Sequence, residues 1–399
     1  MSPNDQKDAH KDAHKNSGAA IVRSNALPLD GDEILKGIVE WVNIESPSHD
    51  PAAVNRMVDR VEHDMAAIGA ELQRTPGKDG FGDVLIARTP WGEMPGILVL
   101  SHVDTVHPVG LLEGALKVRR EGDAIFGPGI YDMKGGAYLA YYAYRHLVRL
   151  GRQTKLKITF MFVPDEEVGS NSCRDIIEAE AVKHKYALVM EPARDGGKIV
   201  TARKGVGHFT IKATGRPSHS GVRPQDGRSA IKEMARQIVD IEAMTDFPRA
   251  ITLNVGTIKG GTGTNVVPQF CEATIDLRVP DKVLGEEMVA RIHGLKPYDP
   301  DVKLEISGGM NRPAFTKNAG IAALYEHAKG VAKDLGFDLI DVPMTGGGSD
   351  GNFTAALGIP TLDGLGPDGK GAHTDYEQIY FSSLEERTRL MLRMFETLE

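Results

Sequence analysis

The sequence predicts an α/β fold, a mixed sheet flanked by helices, interrupted by an inserted α+β unit. Three observations predict it. Short apolar runs with the look of buried strands, DVLIA (83–87), ILVL (97–100), LKITFMFV (156–163) and ALVM (187–190), alternate with helical stretches. After about residue 205 the runs HFTIKATG, AITLNVGTI and CEATIDLRVP alternate apolar and polar residues instead, as half-exposed strands do. The first pattern resumes after NRPAF (311–315).

Taken in chain order, residues 1–30 read as a disordered tail. Its KDAHKDAH repeat holds two histidines that read as solvated rather than as metal ligands, and it lacks the apolar core of a signal peptide. Folded structure is expected from residue 31, where Ile34, Leu35, Ile38, Val39 and Val42 share one helical face. A second helix follows, with Asp50 as N-cap, Pro51 at its first position, and a stripe of Val54, Met57, Val58, Val61, Met65 and Ile68. Helices at about 135–150 and 172–184 separate the later buried strands. The insertion holds helices at about 227–243 and 283–294. Beyond it come a helix near 320–335, strands near 338–342 and 360–363, and a closing helix at 382–398.

Composition excludes several classes. With 399 residues, 41% hydrophobic and 26% charged, the chain can bury a sizeable core. A net charge of −8 without a long basic block argues against nucleic acid as a partner. No run approaches the roughly 20 apolar residues that span a bilayer, so no membrane segment is expected. Cys173 and Cys271 are too few for a disulfide framework and read as core residues, which suits a cytoplasmic location.

The reactive residues gather at strand ends. ILVL runs into SHVDTVHP, with His102 and Asp104. LKITFMFV runs into PDEE, with Glu166 and Glu167, and ALVM runs into Glu191. Open α/β sheets bind ligands at the carboxyl ends of their strands, so these distant residues have a reason to converge. Asp132 in FGPGIYDMKGG and His373 in GKGAHTDYE add loop candidates. Each motif alone is weak; H-x-D or DEE is often a solvated turn. Jointly, two imidazoles with several carboxylates and no thiolate suit a catalytic site for zinc, cobalt or manganese. His102, Asp132, Glu167, Glu191 and His373 exceed one catalytic zinc's usual three protein ligands, and two metals sharing a carboxylate would use them all.

SHVDTV, GPGIYDMKGG, PDEEVGS, MEPA, GRPSHSG, NRPAF, TGGGSDGNF and GAHTDYE, in this order, resemble the zinc-dependent aminoacylase and glutamate carboxypeptidase family, with the carboxypeptidase G type the nearest in look. The resemblance implies a di-zinc exopeptidase-like catalytic domain (31–206 and 312–399) and a lid domain (207–311) that forms a homodimer. It implies that His102, Asp132 and Glu191 hold one ion and that Asp132, Glu167 and His373 hold the other. It further implies that Asp132 bridges, with a cis peptide bond after it, that Asp104 orients His102, and that Glu166 is the general base. His219 would reach across the dimer to the substrate carbonyl. Arg312, helped by Asn265 and by the glycine loop around Gly348, would take a substrate carboxylate. The expected reaction is hydrolysis of an amide bond that releases a C-terminal amino acid, glutamate or aspartate, from an N-acyl or peptide substrate. The alternative is a deacylase for another N-acyl amino acid or aromatic amide.

Overall fold

The computed structural model describes residues 28–399. The tail expectation, with its two histidines, therefore falls almost wholly on residues outside those described. The fold is the predicted α/β sheet with an α+β insertion.

The chain enters through α1 (Gly31–Val42), which starts because the Asp30 carboxylate caps the N–H groups of Asp32 and Glu33. It buries Ile34, Ile38, Trp41 and Val42, whereas Leu35 and Val39 are only half-buried. α2 (Pro51–Ala67) has the expected cap, with Asp50 accepting from Ala53 N–H at 3.0 Å.

The central sheet has six strands. In spatial order they are Glu71–Thr75, Val84–Arg88, Leu156–Val163, Glu93–His102, His184–Val189 and Thr361–Leu362. The first two pair antiparallel, and Val84–Arg88 also runs antiparallel to Leu156–Val163. The remaining pairs are parallel. The sheet is therefore mixed, and Glu93–His102 is flanked by two later parallel strands, one on each side. That arrangement is a topological switch point, where strand ends open into a crevice.

The faces of the sheet are covered by α1, α2, α3 (Gly135–Arg149), α4 (Arg174–Ala181) and later helices. One large apolar cluster fills the side that includes Trp41, Tyr138, Phe160 and Phe395. A smaller one, with Leu98, Leu100, Met161, Ile177 and Phe353, lies on the other.

The insertion is an antiparallel sheet ordered Thr252–Gly260, Phe270–Val279, Gly205–Thr214, Lys303–Arg312. α5 (Ala230–Glu242) and α6 (Lys282–His293) pack on it around their own core of Phe209, Ile211, Met234, Ile275, Leu277 and Met288. Phe270–Val279 alternates buried and half-exposed residues along most of its length, as the sequence pattern requires. α7 (Ala319–Leu335), a short α8 (Gly351–Ala356) and α9 (Ser382–Thr397) complete the chain. The strand expected at 338–342 shrinks to Asp341–Val342.

Candidate metal centre

Three adjacent parallel strands deliver the site. His102 is the last residue of its strand, Glu166 and Glu167 follow the one ending at Val163, and Glu191 follows the one ending at Val189. Loop 129–134 brings Asp132 over these ends, and its peptide bond to Met133 is cis. Loop 371–377 brings His373 from the far end of the chain.

The side chains converge. His102 Nε2 lies 3.0 Å from Asp132 Oδ1 and 3.8 Å from Glu191 Oε1. His373 Nε2 lies 3.4 Å from Asp132 Oδ2 and 2.9 Å from Glu167 Oε2. Asp132 thus turns one oxygen toward each histidine. Ligating atoms of His102, Asp132 and Glu167, and separately of His102, Glu166 and Glu191, lie within 4.8 Å of one another. Close packing behind the site leaves no slack: a Cβ on Gly136, just after the Asp132 loop, would stand 1.9 Å from the carbonyl oxygen of Met190.

Asp104 has two tasks. Its backbone oxygen takes the His102 Nδ1 proton at 3.0 Å, which turns Nε2 toward the cluster. Its buried carboxylate accepts from Ser48 Oγ at 2.6 Å and from the N–H groups of Glu166 (3.2 Å) and Glu167 (3.3 Å). It therefore fixes the backbone of the doubled glutamate as well as the histidine.

The adjacent glutamates part company. Glu167 faces His373 through Oε2, while its Oε1 is buried without a hydrogen-bond partner. Glu166 Oε1 accepts from Arg312 Nη2 at 2.8 Å. The rest of the Arg312 fork is occupied too: Nη1 donates to Asp350 Oδ1 at 2.7 Å, and Nη2 also reaches Ser170 Oγ at 3.0 Å. Phe353 lies under the guanidinium, 5.0 Å from ring centre to Cζ.

The electrostatics follow from crowding. Burial pushes Glu166 up to about 7 against the pull of Arg312. Burial and then the Asp132 charge push Glu167 up to about 8 and Glu191 well above the usual range. Burial opposes ionisation of Asp132, yet hydrogen bonds from His102 and His373 hold it far below the ordinary carboxylate value. Hydrogen bonds to Asp132 and Glu167 raise His373 to about 11. Burial alone would lower His102, but Asp104 and Asp132 raise it well above its ordinary value. Carboxyls crowded in this way ionise together only beside added positive charge, which divalent ions supply. The orphaned Glu167 oxygen and the imidazole–carboxylate donor set fit two such ions.

Among the described residues, no hydrogen bond or ion pair joins the remaining candidates, His219, Asn265 and Gly348, directly to the cluster. His219 is exposed on the insertion; its Nδ1 accepts from the N–H groups of Gly221 and Val222 at 3.2 Å, so Nε2 carries the ring proton. Asn265 is its neighbour, with Ser220 N–H donating to the Asn265 carbonyl at 3.0 Å. Gly348 packs on Arg312, where a Cβ would meet Cδ at 2.7 Å. Sequence reasoning missed Ser48, Ser170, Asp350 and the Arg203–Asp363 pair, whose arginine also holds the Gly347 carbonyl at 3.1 Å. Asp350 sits inside the quoted TGGGSDG, so the motif held the signal, but its partner Arg312 is set by tertiary contact.

A model of peptidase family M20/M25/M40 matches residues 98–397. Carboxypeptidase G2 of Pseudomonas sp. (strain RS-16) is 29% identical over 368 residues, covering 90% of this chain and 88% of that protein. The aminopeptidase PepT of Bacillus cereus ATCC 10987 superposes with a TM-score of 0.75 at 23% identity, over 92% of this chain and 98% of that one. The YxeP protein of Bacillus subtilis, a dinuclear metal binding peptidase, superposes with a TM-score of 0.64 at 15% identity, over 92% and 99%. The two structural likenesses are likenesses of fold.

Proposed function

The chain belongs to peptidase family M20/M25/M40 and is a metallohydrolase, and on that premise we propose that its reaction is of the carboxypeptidase kind. The proposed enzyme releases a C-terminal amino acid, glutamate or aspartate, from an N-acyl or peptide substrate. The observation that carries the mechanism is the split between the neighbouring glutamates, one turned to the histidine and one to the arginine.

His102, Asp132 and Glu191 would hold one ion, and Asp132, Glu167 and His373 the other, with Zn2+ the first choice and Co2+ or Mn2+ also compatible. When bound, such ions polarise a carbonyl and supply a nucleophilic water near neutral pH. Glu166 is the general base. Its carboxylate, held by Arg312, can take a proton from the attacking water and return it to the leaving nitrogen. Asp104 holds that carboxylate's backbone in place. Arg312 is the proposed seat of the substrate carboxylate, for which a guanidinium fork is suited. Its present bond to Glu166 means that a carboxylate arriving there competes with the base for the same nitrogen. His219 and Asn265, which ride on the insertion, would complete the site from a second copy in a homodimer, His219 as the donor that stabilises the developing oxyanion.

A panel of N-acyl amino acids and dipeptides, assayed with metal-reconstituted enzyme, tests the substrate class. The highest kcat/KM is expected for acidic C-terminal residues. Equal or better turnover of amides without a terminal carboxylate would remove the carboxypeptidase reading and leave the hydrolase.

A further inference from the structure

Glu377 stands four residues after His373 in the same segment, GAHTDYE. Its carboxylate is fully buried. Oε1 accepts the N–H groups of Tyr131 at 2.8 Å and Asp132 at 2.9 Å. Oε2 accepts Gly129 N–H at 3.0 Å and faces His107 Nε2 at 2.5 Å. An ionised carboxylate only accepts, so Nε2 of His107 carries the proton.

A carboxylate has about four acceptor positions, two on each oxygen, and here four donors take them. Glu377 therefore has no lone pair to give an ion, which separates it from the ligand candidates around it. What it does have is reach. Its own segment carries His373. Three of its donors are backbone groups of the loop that carries Asp132. The fourth, His107, lies five residues beyond His102 and three beyond Asp104. The contact with the Asp132 loop is reinforced beside it: Gly127 N–H donates to the Glu377 carbonyl at 3.3 Å, and strand Gln378–Tyr380 pairs with Ala124–Phe126.

We propose that Glu377, seconded by His107, is the positioning residue of the metal centre. One buried carboxylate ties together the segments bearing His102, Asp132 and His373. By holding the Asp132 backbone it aims the two Asp132 oxygens at the two histidines. This proposal rests on the metal reading of the cluster.

The test uses the full chain stripped of metal by chelation and titrated with Co2+, followed by visible absorption and by competition with a chelator. In Glu377→Gln the amide NH2 meets either Gly129 N–H or the N–H groups of Tyr131 and Asp132, because only one oxygen remains. Co2+ affinity is expected to fall about 10–100-fold, the usual cost of losing a group that orients ligands, and the absorption spectrum to change, while far-UV circular dichroism stays unchanged. His107→Ala should weaken binding in the same direction. His107→Gln, whose amide reproduces the Nε2–H donor, should retain most of the affinity. A folded Glu377→Gln that binds Co2+ within about threefold of the wild type would overturn the proposal. Should that variant not fold, equal affinity in His107→Ala and the wild type would overturn it instead. A wild type that binds no Co2+ would defeat the metal reading itself, a distinguishable result.

Discussion

At the scale of single residues, the doubled glutamate is the centre of the account. Glu166 and Glu167 lie in a single 3-10 turn, Glu166–Val168, rather than on the extended backbone the sequence suggests; at three residues per turn successive side chains still diverge, and here one meets an imidazole and the other a guanidinium. The roles follow from those partners. Glu166→Gln is expected to lower kcat by about 10²–10⁴-fold while metal content stays near that of the wild type. Glu167→Ala is expected to lose metal. Measuring metal by mass spectrometry beside turnover on the same samples separates the two; the opposite pattern would exchange the assignments. His102, Glu167 and Glu191 were legible in the sequence because each follows an apolar run that ends abruptly, and Asp132 and His373 because they stand in the glycine-bearing loops GPGIYDMKGG and GKGAHTDYE. The holding groups, Ser48, Asp350 and Glu377, were not. A buried serine or carboxylate has no signature until the donors that surround it are known, and these come from segments far away in sequence.

At the scale of elements, α1 and α3 show how a first-turn residue can act as a clasp. Glu33, in the first turn of α1, takes Arg149 through two hydrogen bonds at 2.9 and 3.0 Å, with Arg145 and the Tyr142 hydroxyl beside them. The Arg149 hydrogen bonds, chiefly, lower its pKa from 4.5 to about 2. A depressed folded pKa stabilises above the unfolded value and loses that stabilisation as pH falls. Glu33→Gln should therefore lower stability at neutral pH, by ~1 kcal/mol or less for so exposed a network. The difference from wild type should shrink as pH falls from 4.5 toward 2; denaturant midpoints at pH 7 and at about pH 3 check it. A gap that persists unchanged at low pH would mean that packing, not charge, holds this clasp.

The elements also mark the limits of reading a sequence. Buried strands declared themselves by continuous apolar runs. The edge strand Glu71–Thr75 has the sequence ELQRT and no buried residue, so neither face leaves a pattern. Lys303–Arg312, the edge of the inserted sheet, carries two glycines and is half-exposed along most of its length. Strand Glu93–His102 extends beyond ILVL because Glu93, Met94 and Pro95 pair or lie at an exposed end rather than in the core.

At the scale of the whole molecule, the sheet's strand order explains why one site can be built from the segments around 102, 166 and 191. Parallel neighbours end on the same side, and the central strand is the earliest of the three in sequence. That convergence was legible from strand ends alone. The occupation of Arg312 was not, because it depends on where the insertion returns to the sheet and meets Asp350. Among the described residues no helix is long and apolar enough to cross a membrane. The insertion keeps its own apolar core, and His219 and Asn265 belong to this insertion. What the molecule is built to do therefore depends on the cluster holding ions.

Removal and return of metal tests this most directly. Enzyme stripped with a chelator should lose hydrolysis of an N-acyl glutamate, and activity should return on titration with Zn2+ and level off at about two equivalents per chain. Full activity in verified metal-free protein would contradict the account.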